Sequence, residues 1–125
     1  MKNNIIPWVE IPVTDMDRAK AFYDNVFGID IQVQDFQGTL MGWFPYDEKK
    51  TGISGSLVKN EAYNPSESHG AVVYFDSEDI DATLAKVEAN GGRIKKSKTQ
   101  IAPNIGYMGL FIDSEGNRIA LYTTA

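Results

Sequence analysis

The chain predicts an α+β domain of two tandem βαβββ modules, and three observations carry that reading. The stretch from Ile5 to Gly28, IIPWVEIPVTDMDRAKAFYDNVFG, has the pattern of a strand running directly into a helix. A second copy of that unit, AVVYFDSEDIDATLAKVEANGG, lies between Gly70 and Gly92. Three extended segments follow each copy.

In the first strand, residues 5–13, Val9, Ile11 and Val13 alternate with Trp8, Glu10 and Pro12, the period of a half-buried strand. Thr14 suits the cap of a helix over 15–27, and Asp15 and Asp17 suit the positive end of its dipole. Met16, Ala19, Phe22, Tyr23, Val26 and Phe27 recur at steps of three and four, so they form one apolar stripe that can cover the Val9, Ile11 and Val13 face. Gly28 stops the helix. Residues 29–36 and 39–46 then read as strands joined at Gln37-Gly38, residues 47–50 as a charged loop, and residues 52–59 as a fourth strand.

Residues 60–68, polar and containing Pro65, connect module one (1–60) to module two (69–125) within a single domain spanning 1–125. Module two reads as a strand over 69–76, a helix over 78–90 and a stop at Asn90-Gly91-Gly92. A polar strand over 93–97, a loop over 101–104 and strands over 107–113 and 118–123 complete it. A shift of 64 residues superposes the helices, setting Ile80 on Met16 and Asp79 on Asp15. For the strand before the helix a shift of 62 puts Phe75 on Val13, implying two extra residues around Ser77 and Glu78. MGWFP at 41–45 matches MGLFI at 108–112 with a shift of 67, and the last strands return to 64, with Ser56 on Ala120.

Composition narrows the function classes. With 42% hydrophobic and 11% aromatic content over 125 residues the chain can bury a real core. A net charge of −5 gives no electrostatic case for nucleic acid or an anionic membrane surface. Cysteine is absent, so disulfides, thiolate metal sites and cysteine nucleophiles are excluded. No run reaches the ~20 apolar residues of a membrane span, and MKNNIIPW lacks a signal core, so a cytoplasmic location is the expectation. Gly91-Gly92 follows a helix and therefore reads as a helix stop, since a phosphate loop would precede one. Neither Ser54 nor Ser56 has a His-Asp arrangement to activate it.

The paired βαβββ pattern, the opening EIPVTDMDRAKAFYDNVFG with Phe22-Tyr23, and the ending FIDSEGNRIALY with its Asp-x-x-Gly-Asn turn at 113–117 together resemble the vicinal oxygen chelate superfamily. That superfamily includes glyoxalase I, bleomycin-resistance proteins, fosfomycin-resistance enzymes and extradiol dioxygenases. The resemblance implies a half-barrel cup of eight strands, the glyoxalase/bleomycin resistance-like fold, with a helix behind each half, and it implies a homodimer. In metal-dependent members, ligands on the first and last strand of each module converge on a divalent cation. The corresponding places here are Trp8, Ser56, Gly70 and Ala120, so neither metal nor cofactor is expected. His69 lies one residue from such a place and reads as a surface histidine ending the connector.

Alternation assigns Trp8, Glu10, Phe44, Ser56, Val58, Val72, Tyr74, Tyr107, Phe111 and Tyr122 to the cup face. Trp43, Leu57, Val73, Leu110, Ile112, Ile119 and Leu121 are assigned to the helix face. An aromatic cup of that kind suits a small aromatic or apolar ligand, with Trp8, Glu10, Phe44, Ser56, Tyr74, Tyr107, Phe111 and Tyr122 as its candidate contacts. Two other readings stay open: a lyase or isomerase of the glyoxalase I type, with unusual metal ligands or Glu10 as the catalytic base, and a dimeric accessory protein with a filled cup. Glu10 also has a purely structural reading, an ion pair with Arg118.

Overall fold

A computed structural model describes residues 3–125. The elements run β1 (Trp8–Pro12), α1 (Met16–Phe27), β2 (Gln32–Phe36), β3 (Thr39–Trp43), β4 (Ser54–Lys59), β5 (Val73–Asp76), α2 (Ile80–Ala89), β6 (Arg93–Ala102), β7 (Gly106–Ile112) and β8 (Arg118–Thr123). This is βαβββ twice. Each module forms its own four-stranded sheet, in the orders β1-β4-β3-β2 and β5-β8-β7-β6. Within each sheet the first strand is parallel to the last and the other pairs are antiparallel. No helix among the described residues is long and apolar enough to cross a membrane.

Asp15, and not Thr14, caps α1: its carboxylate accepts from Arg18 N at 3.0 Å, and Asp79 does the same for Ala82 N in α2 at 3.1 Å. Either residue type can cap, and Thr14 is drawn away by Glu115, which lies across the module boundary. Gly28 ends α1 in the left-handed region at φ 63°, as its position in the sequence implies.

The shift of 64 holds in the first and last strand of each module as well as the helices, which removes the two-residue insertion expected around Ser77. Glu10 pairs with Ser56 and Tyr74 with Ala120; Val13 N donates to Val58 O and Ser77 N to Tyr122 O, each at 2.9 Å. Ser77 therefore stands where Val13 stands, and Phe75 corresponds to Ile11. Matching apolar residue to apolar residue misplaced the register, because the polar Ser77 is buried at that turn.

One core joins both modules. Ile11, Leu57, Ile119, Leu121 and Phe111 from the two sheets pack with Phe22, Tyr23, Leu84 and Val87 from the two helices. The Phe22 ring reaches Phe111 at 6.0 Å and the Tyr23 ring reaches Phe75 at 5.8 Å, so α1 bridges its own sheet to the other. Both sheets turn their inner faces to this core, and their outer faces point away from it.

On β3 and β7 the expected faces are reversed. Gly42 and Gly109 lie on the inner face, opposite Leu57 and Leu121. A Cβ on Gly42 would come within 2.9 Å of Ile31 Cγ2 and 3.1 Å of Met16 Sδ, and one on Gly109 within 3.1 Å of Ile80 Cγ2. In both modules the first residue of the helix thus seats over a glycine, and alternation from that glycine carries Phe44, Tyr107 and Phe111 inward and Trp43, Leu110 and Ile112 outward.

The turn between β7 and β8 ties the modules together. The buried Asp113 carboxylate accepts from Tyr23 Oη at 2.6 Å, Asn117 N at 2.8 Å, Asn117 Nδ2 at 3.0 Å and Glu115 N at 2.9 Å, while Asn117 Nδ2 also donates to Pro12 O at 2.7 Å. Glu115 faces the N-terminus of α1 and accepts from Thr14 N, Asp15 N and the Arg18 guanidinium at 2.7–3.0 Å. Burial pushes the Glu115 carboxyl up, but the bonds from Arg18, Asp15, Thr14 and Ser114 outweigh it and hold it at about 2. A carboxyl depressed in the folded state stabilises fully above its ordinary value of 4.5, and that stability is lost as pH falls through about 2. With the exposed Arg18 discounted, the contribution is on the order of 1–2 kcal/mol. Urea midpoints at pH 7 and pH 2.5 are expected to differ less in Glu115→Gln than in the parent, because only the parent has that stability to lose.

Candidate functional site

The outer face of the first sheet carries the most distinctive cluster. Trp8 on β1 and Trp43 on β3 meet edge to face, with ring centres 6.2 Å apart and planes at 78°. Phe36 on β2 stacks against Trp43 at 6.1 Å. Ser56 on β4 lies between Glu10 and Trp43 by strand register, and alternation gives all of these the same face.

The polar atoms in this cluster are incompletely matched. Ser56 is 0% exposed, and its Oγ has no hydrogen-bond partner among the described residues. Such an atom in a folded protein calls for an explanation, because burial without a partner costs about 1–3 kcal/mol. Glu10 Oε1 accepts from Tyr63 Oη at 2.7 Å, a bond that pushes the Tyr63 hydroxyl up. Oε2 has no protein partner among the described residues. Tyr63 belongs to the connector, where its backbone N donates to Asn60 O at 2.9 Å, and Asn60 Nδ2 is tied to Thr39 Oγ1 at 2.8 Å. The connector therefore positions Tyr63 from within module one. Trp8 is 40% and Trp43 39% exposed, so both indoles offer open surface. A hollow of about 410 Å³ adjoins them, bordered by Tyr46, Ile53 and Ser54.

A larger cavity of about 790 Å³ opens between the modules, with Phe27, Phe44 and Phe75 at its base and Tyr46 and Tyr74 among its other walls. Phe44 and Phe75 are 5.5 Å apart and Phe27 and Phe75 4.7 Å, so this cavity continues the aromatic core.

The residues expected to share one cup are thus divided. Trp8, Glu10 and Ser56 are together on the outer face of the first sheet. Phe44 and Tyr74 line the cavity between modules. Phe111 is buried in the core, and Tyr107 packs against it beneath the Lys98 ammonium, 4.8 Å from the ring centre. Tyr122 is on the outer face of the second sheet, its hydroxyl donating to Ile105 O. The placements of Phe44, Tyr107 and Phe111 correct the alternation, for the glycine reason given above. Glu10 pairs with Tyr63 in place of Arg118, whose guanidinium donates to the backbone oxygens of Ser68 and Gly70. Trp43 and Tyr63 are the contacts that sequence reasoning missed. Gly42, read as an inner-face residue under a helix, would have pointed to Trp43; no local signal marks Tyr63.

The residues present do not fit a divalent cation. With the register at 64, the places that the resemblance makes ligand positions are Trp8, Ser56, Val72 and Ala120, Val72 replacing Gly70. Indole, valine and alanine side chains donate nothing to a metal, and a neutral serine alone is a poor ligand. His69 is exposed and its Nδ1 shares a hydrogen with Ser68 Oγ at 2.7 Å. No group of three or more His, Asp or Glu side chains suited to a metal converges among the described residues. Elemental analysis of protein purified without added metal is expected to find well under one equivalent of zinc, nickel, iron or manganese.

The model of the Glyoxalase/Bleomycin resistance protein/Dioxygenase superfamily matches residues 5–121. A glyoxylase-like domain-containing protein of Didymella fabae is 30% identical over 123 residues, covering 94% of this chain and 92% of that protein. Among solved structures, a glyoxalase/bleomycin resistance protein/dioxygenase family enzyme from Burkholderia phytofirmans superposes with a TM-score of 0.68 at 19% identity, over 94% of this chain and 97% of that one. Glyoxalase I from Zea mays gives a TM-score of 0.68 at 20% identity. The match covers 94% of this chain and only 45% of the maize enzyme, so this chain spans about half its length. At these identities the two structures speak to the fold alone.

Proposed function

Because the chain belongs to the Glyoxalase/Bleomycin resistance protein/Dioxygenase superfamily, we propose that it uses a family fold without family metal ligands to bind a small aromatic or apolar molecule on the outer face of its first sheet. The observation that carries the proposal is the pair of open indoles, Trp8 and Trp43, set edge to face beside Glu10, whose Oε2 has no protein partner among the described residues. A ligand stacked on Trp8 and Trp43 would give that carboxylate oxygen a partner, and the rings would supply the apolar area that small-molecule sites require. The openness of both indoles weighs against a filled, purely structural face. Mass spectrometry of what co-purifies with the parent protein and with Trp8→Ala tests the reading. A small molecule retained by the parent and absent from Trp8→Ala supports it; the same molecules in both preparations would sink it.

The assembly proposed is a homodimer. β1 and β5 each pair on one side only, and Tyr74, Ile101 and Ile105, away from the aromatic corner, leave apolar surface that a monomer rarely exposes. Light scattering at micromolar concentration is expected to give about twice the 13.9 kDa chain mass, and a constant monomer mass would count against it.

A further inference from the structure

We propose that the ligand of this face is a monocationic amine carrying at least one N–H and an aromatic or apolar body, a proposal that rests on the outer-face site just described. Register and alternation put three side chains of each strand of the first sheet on that face, and Glu10 is the only charged one. Gln32, Gln34, Thr39, Ser54 and Ser56 supply its other polar groups, all neutral. Among these strand side chains an anion would meet one carboxylate and no cation, on a chain whose net charge is already −5. A neutral apolar ligand would leave Glu10 Oε2 without a partner as it displaced water. A dication would leave half its charge unmatched.

A monocation matches both the rings and the free carboxylate oxygen. Trp8 and Trp43, nearly at right angles, form an open corner whose ring faces attract a positive charge, indole most strongly among the aromatic side chains. Glu10 Oε2 accepts one N–H in a charge-assisted bond, while Tyr63 holds Oε1 and so fixes the carboxylate. The ligand's apolar body continues over Trp43 toward Phe36, which stacks on it with planes only 18° apart.

Trp8 and Trp43 are the only two tryptophans in the chain, so its indole fluorescence reports on this face alone. The full-length protein is titrated with three probes of similar size: 2-phenylethylammonium, 2-phenylethanol and 3-phenylpropionate. The amine is expected to bind at least tenfold more tightly than the alcohol, and the carboxylate most weakly. Glu10→Gln is expected to bring the amine down to the affinity of the alcohol while leaving the alcohol unchanged. Tyr63→Phe, which keeps the charge and loses the supporting bond, should retain a preference for the amine. If the alcohol or the carboxylate binds the parent as tightly as the amine, the ligand class is wrong and the site survives. If Tyr63→Phe erases the preference as fully as Glu10→Gln, the carboxylate is not the recognition element and the class is again overturned. If no probe changes the fluorescence of the parent, the site itself falls and this proposal with it.

Discussion

Asp113→Ala is expected to lower the stability of the chain by about 3–5 kcal/mol, read as a fall in the urea midpoint at pH 7. The size follows from what the truncation would strand. Tyr23 is fully buried, and its hydroxyl has Asp113 as its partner. Asn117 N would also lose its acceptor, and Glu115 N, in the middle of the turn, would lose another. Each buried donor left unmatched costs about 1–3 kcal/mol, and the total is a large share of the 5–15 kcal/mol that holds an ordinary domain folded. Burial, opposed by the bonds from Tyr23, Asn117 and Glu115, leaves the Asp113 carboxyl raised above the usual carboxylate range. Ionised Asp113 is thus itself under desolvation, and these bonds are what make it tolerable. Tyr23→Phe removes one donor and leaves the turn its remaining bonds, so it should cost about 1–2 kcal/mol. A loss below 1 kcal/mol for Asp113→Ala would mean that the turn does not join the modules.

The duplication was legible because its two copies keep strict register through the helices: Met16 and Ile80, Asp15 and Asp79, Asp17 and Asp81 occupy the same places, and helical periodicity reads each apolar stripe without outside information. Strand faces were less secure. A strand's period of two gives its alternation but not which half points inward, and on β3 and β7 large residues occur at both parities. What decides the matter is that Gly42 and Gly109 sit where a helix presses on the sheet, a contact between segments more than twenty residues apart. The same limit hid the capping of α1. Thr14 was the plausible cap locally, until Glu115, 101 residues away, took its hydroxyl and backbone N–H. Of the candidate site, Trp8, Glu10 and Ser56 could be read from β1 and β4 because their inner-face neighbours Ile11 and Leu57 are unambiguous. Tyr63 could not, since its approach to Glu10 depends on the path of a connector with no periodicity.

Trp8→Ala is expected to abolish binding of whatever co-purifies with the chain while costing the fold no more than about 1 kcal/mol. Trp8 begins an edge strand, is open to solvent over 40% of its surface and contributes nothing to the shared core, so its removal opens no internal cavity. For a ligand, the indole is half of the aromatic corner, and stacking on a large ring together with its desolvation is the kind of contact that dominates binding sites. Trp43→Ala should match it in lost binding and cost more stability, because β3 is an inner strand and Trp43 also supports Phe36. Glu10→Gln keeps both rings and should weaken binding by about tenfold, the equivalent of ~1.4 kcal/mol and within the range of a hydrogen bond to a charged group. Urea midpoints taken alongside the binding data separate the two roles of the ring. If Trp8→Ala costs about 3–5 kcal/mol, as a core aromatic does, the indole is packing and the face it borders is closed to ligands.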